Sequence, residues 1–543
     1  MNCPICGRDD TIRIETARSL FNRCRNCSFA FLDPARRPSG EEAIARYALH
    51  RNSSDDPAYV SFLSAIFDRA IDIAGPGVRR VVDWGSGPVA VGARLLAERG
   101  FEVDSWDPHF NAARLPEKAV YDLAICIEVA EHFFDPVMDF SALADRLRPG
   151  GVLALHTHFV PENDGEFKSW WYKEDLTHVS FYSIESLIRL ARLTGLSPIA
   201  FESGRLAFFR RPLPVLVAGG VNWDIEGSPF APLIPGDSNP GTVRFFAGGT
   251  ARNIAEDLVH LRARTELLAA VGDDDLGRRM IASCREAGIG TEGIAVVQGH
   301  SSSTYVSILD DSGEIALALS GMGVYEAFDP EKTLVAAELA LFSARAASFV
   351  PRGSSDTLPF SALVVDGNLQ PNSIEVLLDR FPSIPAWFDP VSASKARRFG
   401  NYRDGVLLSR FTGMKPNLLE AQAMFGCDFS GSDVFNQARA AAEALRARGV
   451  AAIYISLGAD GVLWLDEAGS GSYSPPKARV VSSTGAGDAF LASLVRSAIS
   501  GFSGQGEIVR AAAAAAIALG SEEAAPKYLS GAVLERFADA ARA

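Results

Sequence analysis

Strand-like apolar runs alternate with helical patterns twice along this chain, and RRPLP at 210–214 separates the two series. In the first, from about 40 to 210, RRVVDW, YDLAICIEV and GVLALHTHF alternate with VGARLLAERG, VMDFSALADRL and SIESLIRLARLTG. Short apolar runs joined by amphipathic helices leave few folds open; the natural one is a parallel sheet covered by helices. The second series opens at VLVAGGVNWDI and closes with the alanine-rich VRAAAAAAIALG, a composition suited to close packing. No repeat of 20–50 residues is visible, and the two series carry different motifs, so they are not a duplication. At 543 residues the chain exceeds one ordinary core. The expected organisation is a cysteine-rich segment over 1–35, one α/β domain over 36–210 and a second over 214–543.

Composition narrows the function classes. No apolar run reaches the ~20 residues that span a bilayer. MNCPICGRDD lacks the basic-then-apolar pattern of a leader, so a cytoplasmic protein handling small molecules is expected. A net charge of -14 argues against a broad nucleic-acid footprint. Four of the seven cysteines form two C-x2-C pairs, CPIC (Cys3, Cys6) and CRNC (Cys24, Cys27), separated by 17 residues. Four thiolates on two tight turns suit one tetrahedral Zn²⁺ with no position left for water, hence a structural zinc ribbon. Cys126, Cys284 and Cys427 stand alone and read as small apolar residues.

In the first α/β segment, VVDWGSGPVAVGARLL reads as strand, glycine turn and helix. Gly85 and Gly87 would admit a nucleotide-like ligand, and Asp107, 22 residues after Gly85, could accept both hydroxyls of a ribose. Gly85, Gly87 and Ala90 also fit a dinucleotide fold. Asp83 before the glycines, EVAEHFFDP at 128–136 and RPGG at 148–151 favour another reading: the segment resembles class I S-adenosylmethionine-dependent methyltransferases. With the ribbon and WWYKEDLTHVSFYS at 170–183 it looks like zinc-ribbon methyltransferases acting on sugars or small metabolites. That resemblance implies S-adenosylmethionine as donor, Asp83, Gly85 and Gly87 lining its site, and Asp107 on its ribose. His158, Asp175 and His178 follow the fifth strand and are candidates for a proton acceptor, or for cap and loop roles. His132 reads as structural, and a non-catalytic binding module is the alternative for this half.

In the second segment, VVSSTGAGDAF at 480–490 brings two glycines to one carboxylate. The amides of Gly485, Ala486 and Gly487 at a helix N-terminus would form an anion nest, with Asp488 beside it to take a proton from a hydroxyl. AGGTARN (247–253), KPNLLE (415–420), SLGADG (456–461) and STGAGD (483–488) occur in that order and resemble the ribokinase (PfkB) family of sugar and nucleoside kinases.

The resemblance implies an α/β fold with a small β lid, and ATP and Mg²⁺ as cofactors. It makes Asp488 the general base and Gly485 to Gly487 the anion hole. Asn222, Asp224, Gly248, Gly249, Arg252, Asn253 and the lid residue Thr304 would hold the substrate. Asn417 and Glu420 would organise Mg²⁺, and Ser456, Gly458 and Gly461 would border the nucleotide. DSNPGTVRFFAGGTARNIAEDL (237–258), SSSTYVSILDDSGE (301–314), WFDPVSASKA (387–396) and the neutral Ser482 look specifically like pseudouridine kinases. A ribokinase- or fructokinase-type sugar kinase is the alternative. Two stretches depart from the pattern: SGMGVYEAF (320–328), and LRAR (261–264) where a glycine turn is expected. Family members often pair through the lid, so a homodimer is an open expectation.

Overall fold

The computed structural model describes the chain except for residues 48, 50–52, 112–114, 116–120, 312–314, 336–359, 430–432, 468, 476–479, 483 and 543. It divides into two compact units whose boundary falls between Leu213 and Pro214.

The first unit holds a six-stranded sheet in the order Glu102–Trp106, Arg80–Trp84, Tyr121–Ile127, Leu147–His156, Leu206–Arg210 and Ser197–Glu202. The first four strands are parallel; Leu206–Arg210 runs against them, and Ser197–Glu202, antiparallel to Leu206–Arg210, runs with them again. Apolar side chains leave both faces of this sheet, so helices cover it on both sides. Leu63, Phe67 and Leu96 bury one face, while Phe140, Leu143, Leu187 and Leu190 bury the other. The cysteine-rich segment forms a second sheet of Thr11–Glu15, Leu20–Cys24 and Ala30–Leu32. Strand Ser180–Phe181 joins its edge, pairing Ala30 with Phe181. Phe21 packs edge-on against Phe167 and Phe181 at 5.3 and 5.8 Å. The ribbon therefore shares an aromatic core with the rest of its unit.

The second unit is built on a nine-stranded sheet. Its order is Ile294–Val297, Thr265–Gly272, Val215–Ala218, Ala362–Asp366, Ala386–Asp389, Gly413–Met414, Ala452–Ser456, Val462–Asp466 and Gly469–Tyr473. All run in one direction except Val462–Asp466, which is antiparallel to both of its neighbours. A separate four-stranded sheet contains Gly241–Gly248, Asn222–Pro229, Thr304–Leu309 and Ile315–Gly321. The alanine-rich helix Gln505–Leu519 packs against Ala486–Ile499, with Ala511, Ala514 and Ala518 fully buried. Small side chains let the two helices approach closely. At LRAR, Arg262 takes a left-handed conformation (φ 63°), so the turn that normally calls for glycine is made by arginine. Among the described residues no helix is long and apolar enough to cross a membrane.

Candidate active site

The motifs of the second unit converge on the carboxyl ends of its parallel strands, the edge where open α/β sheets bind ligands. Asp488 lies in the first turn of helix Ala486–Ile499, and Gly485 caps that helix at φ 84°. A side chain at Gly485 would overlap the carbonyl of Ala524, so both conformation and space require glycine there. Helix Thr250–His260 packs against Ala486–Ile499 and brings Asn253 to Asp488; Asn253 Nδ2 donates to Asp488 Oδ2 at 2.9 Å. Among the described residues no hydrogen-bond donor reaches the other carboxylate oxygen, Oδ1.

A charge cluster surrounds this pair. Lys415 is buried, and its Nζ sits 3.0 Å from Asp389. Burial alone would lower the Lys415 ammonium, but Asp389, Glu420 and Asp488 together raise it. Burial lifts the Asp488 carboxyl to about 7; Asp389 adds to the rise, while Asn253 and Lys415 oppose it. Glu420 is likewise pushed to about 7 by burial and Asp389.

Asp224 lies on strand Asn222–Pro229, where burial raises it to about 7 against the pull of Asn222 and Arg252. Asn222 Nδ2 donates to Asp224 Oδ1. A side chain at Gly248 would overlap the Asp224 carboxylate, so this glycine lets the acid lie flat against the neighbouring strand. Gly249 precedes the helix that carries Arg252 and Asn253. Arg252 is buried, 2.8 Å from Glu256, and its Nε has no hydrogen-bond partner among the described residues. Thr304 opens its strand opposite Trp223 and Gly321.

Asn417 and Glu420 form a reciprocal cap on helix Leu418–Phe425. Asn417 Oδ1 accepts from the Glu420 amide, and Glu420 Oε2 from the Asn417 amide, both at 2.8 Å. Ser456 ends the adjacent parallel strand and bridges to Asn417, with Gly458 and Gly461 in the turn that follows. KPNLLE and SLGADG, distant in sequence, are thus neighbours at the sheet edge. Ser482 is placed just before the nest, its hydroxyl accepting from the Thr484 amide at 3.2 Å. Ser483, and 312–314 of the lid stretch, lie outside the described residues.

In the first unit, Asp83 accepts from the Ala93 amide at 2.9 Å, which ties the glycine turn to helix Val91–Glu98; burial raises Asp83 to about 6. Asp107 follows strand Glu102–Trp106 rather than ending it, and accepts from the amides of Gly87 (3.0 Å), His109 (2.9 Å) and Phe110 (3.2 Å). Asp107 therefore pins the turn at Gly87, while Asp83 pins the helix after it. Asp175 accepts from Arg46 and Thr177; these bonds override burial and hold its carboxyl well below the usual range, which makes it a structural cap. His158 packs its ring 4.6 Å from that of Tyr172. The four cysteines meet as a buried cluster, with Sγ separations of 3.6 Å (Cys3–Cys27) and 3.4 Å (Cys6–Cys24). Thiolates 2.3 Å from one tetrahedral ion stand about 3.8 Å apart, so the set fits a zinc ribbon.

Comparison with known proteins decides the family. The sequence profile described as "pfkB family carbohydrate kinase" matches residues 231–528, more than half of the chain. The chain belongs to the pfkB family. A pseudouridine kinase of Escherichia coli K12 is 32% identical over 281 residues, covering 52% of this chain and 82% of that protein. A guanosine-inosine kinase of Exiguobacterium acetylicum is 25% identical, covering 52% and 86%. Among solved structures, a carbohydrate kinase from Agrobacterium tumefaciens is 26% identical with a TM-score of 0.47, covering 60% of this chain and 97% of that one. A second profile, described as "Methyltransferase domain", matches residues 45–200. This pfkB protein thus joins a sugar- or nucleoside-type kinase domain to a methyltransferase domain, and these imply ATP with a metal, and S-adenosylmethionine, respectively.

Several residues of this pfkB site carry no local sequence signal. Asp366, at a strand end in VVDGN, accepts from the amides of Gly220 and Ala251, each at 2.9 Å, and from Asn368 at 2.8 Å. It clamps the glycine turn after Val215–Ala218 to the start of the Asn253 helix. Asp389 in WFDPVSASKA and Lys415 in KPNLLE gain meaning only as a pair. In the methyltransferase domain, His156 Nδ1 lies 2.7 Å from Glu128 Oε1, and Glu128 also accepts from the Tyr172 hydroxyl at 3.2 Å. Glu128 stands at φ 53°, an uncommon conformation for a non-glycine residue at the end of a central strand.

Proposed function

We propose that the pfkB domain transfers the γ-phosphoryl group of ATP to the 5′-hydroxyl of pseudouridine, giving ADP and pseudouridine 5′-phosphate. The observation that carries the chemistry is Asp488, buried and held at one oxygen by Asn253, beside three amides at a helix N-terminus. Its Oδ1 would take the hydroxyl proton, and the amides of Gly485, Ala486 and Gly487 would stabilise charge on the moving phosphoryl. Lys415 adds a fixed positive charge next to the same carboxylate. Asp224 and Asn222 would accept and orient ribose hydroxyls, with Gly248 and Gly249 allowing close approach and Arg252 and Thr304 bordering the nucleoside. Asn417 and Glu420 would hold Mg²⁺ through water; the cap uses Glu420 Oε2 and leaves Oε1 for that task. Ser456, Gly458 and Gly461 would border the nucleotide.

Pseudouridine is favoured by the likeness to the Escherichia coli pseudouridine kinase and by the neutral Ser482. Across pseudouridine, uridine, adenosine, ribose and fructose, kcat/KM is expected to be highest for pseudouridine. A free sugar ranking first would replace this substrate by a sugar. Exposed Val243, Phe245, Leu317 and Leu319 on two strands of the small sheet support a homodimer paired there.

For the methyltransferase domain we propose S-adenosylmethionine as donor at Asp83, Gly85, Gly87 and Asp107, Zn²⁺ at Cys3, Cys6, Cys24 and Cys27, and a small metabolite as acceptor in the cytoplasm. Calorimetric titration of the full chain with S-adenosylmethionine is expected to give one site. Absence of binding would leave this half a recruitment module.

A further inference from the structure

Glu131, His132 and His178 each bring one ligand atom to within 4.8 Å of the other two. Glu131 and His132 lie on the short turn Ala130–His132 after strand Tyr121–Ile127, and His178 precedes strand Ser180–Phe181. The Val179 amide donates to the Glu131 carbonyl at 2.7 Å, which fixes the two segments against each other.

Two further observations concern the free valences of these side chains. His132 Nδ1 lies 2.9 Å from the Thr177 carbonyl, and His178 Nδ1 lies 2.7 Å from the Tyr172 carbonyl. A peptide carbonyl only accepts, so each neutral ring carries its proton on Nδ1 and keeps a lone pair on Nε2. Ligating histidines are held in this way, the second nitrogen bonded to a carbonyl or carboxylate. Glu131 is 0% exposed; its Oε2 accepts from Thr157 Oγ1 at 2.7 Å, whereas the buried Oε1 has no hydrogen-bond partner among the described residues. An unpaired buried acceptor is costly, more so when charged. A bound cation would remove that cost.

We propose that Glu131, His132 and His178 bind one divalent first-row transition ion, a second metal site distinct from the four-cysteine cluster. Two imidazoles and a carboxylate suit Zn²⁺ or Fe²⁺ in preference to Mg²⁺ or Ca²⁺. Ligand atoms about 2.1 Å from an ion stand about 3.0–3.5 Å apart, so binding draws these side chains together by roughly 1 Å. Three protein ligands leave a coordination position for water or a substrate oxygen, whereas the cysteine cluster is closed. The site lies at the carboxyl edge of the parallel strands, where open sheets take ligands. It does not depend on methyl transfer: S-adenosylmethionine binding can be present or absent with the metal bound.

The test is metal stoichiometry on the full chain, dialysed after equilibration with excess zinc and without nucleotide. Wild type is expected to hold two equivalents; His178→Ala and Glu131→Gln each hold one, and Cys24→Ser combined with His178→Ala holds none. With cobalt, His178→Ala keeps the thiolate charge-transfer bands of the cysteine site and loses the weaker ligand-field bands of the nitrogen–oxygen site. A wild-type chain that binds a single equivalent overturns the proposal whatever the variants do. So does a His178→Ala chain that melts like wild type and still holds two.

Discussion

Replacing Asp488 by Asn is expected to lower kcat for phosphoryl transfer by about 10²- to 10⁴-fold, with the KM for the nucleoside nearly unchanged. Asparagine keeps the size and the contact with Asn253 but cannot accept a proton. The pH profile separates this role from a structural one. Burial, reinforced by Asp389, raises the Asp488 carboxyl to about 7. A base must be ionised, and a raised pKa keeps this one protonated to higher pH. Wild-type kcat/KM should therefore fall about tenfold per pH unit below about 7, and the residual activity of Asp488→Asn should lose that limb. A wild-type profile flat between pH 5 and 8, or an Asn variant with full rate, would remove Asp488 from the base role. Glu420 and Asp224 are raised to similar values, so the wild-type limb alone does not single out Asp488; its disappearance in Asp488→Asn, where the other two acids remain, does.

The second large effect is expected from Cys24→Ser. Cys24 ends the central strand of the ribbon sheet, and Phe21 on that strand is buried against Phe167 and Phe181. Structural zinc in short cysteine modules carries on the order of 10 kcal/mol of binding free energy that is also folding free energy. Losing a thiolate should release one equivalent of zinc, unpack these rings and lower the melting temperature of the first unit by about 10 °C or more. Kinase activity should be unaffected. Unchanged zinc content and melting would mean that the cysteines are only a packed apolar cluster.

How much could be read from sequence depended on whether a residue's role is local. The glycines before Asp488 announce a nest because a helix N-terminus that binds an anion needs bare backbone at that point. The order of AGGTARN, KPNLLE, SLGADG and STGAGD then identifies the fold that gathers them. The same local logic applies to N-x-x-E. That spacing is a capping box, and Asn417 and Glu420 form one whatever else they hold. Asp175 likewise turned out to satisfy Arg46 and Thr177.

Roles made by tertiary contact were not legible. Nothing in the neighbourhood of Lys415 shows that Asp389 and Asp488 will enclose it, and nothing near Asp366 shows that it will clamp Gly220 to Ala251. The pairing of Glu128 with His156 depends on the register of two adjacent strands. His132, read as structural, lies beside a buried carboxylate whose vacancy only the folded chain exposes.

The most direct measurement is ³¹P NMR of wild-type protein with Mg²⁺-ATP and pseudouridine. Transfer to the 5′-hydroxyl predicts ADP and a phosphomonoester in equal amounts, the latter split into a triplet by the two C5′ protons. ATP converted only to ADP and inorganic phosphate, or a doublet from a secondary hydroxyl, would contradict the assignment of Asp488 and its partners to phosphorylation of a nucleoside 5′-hydroxyl.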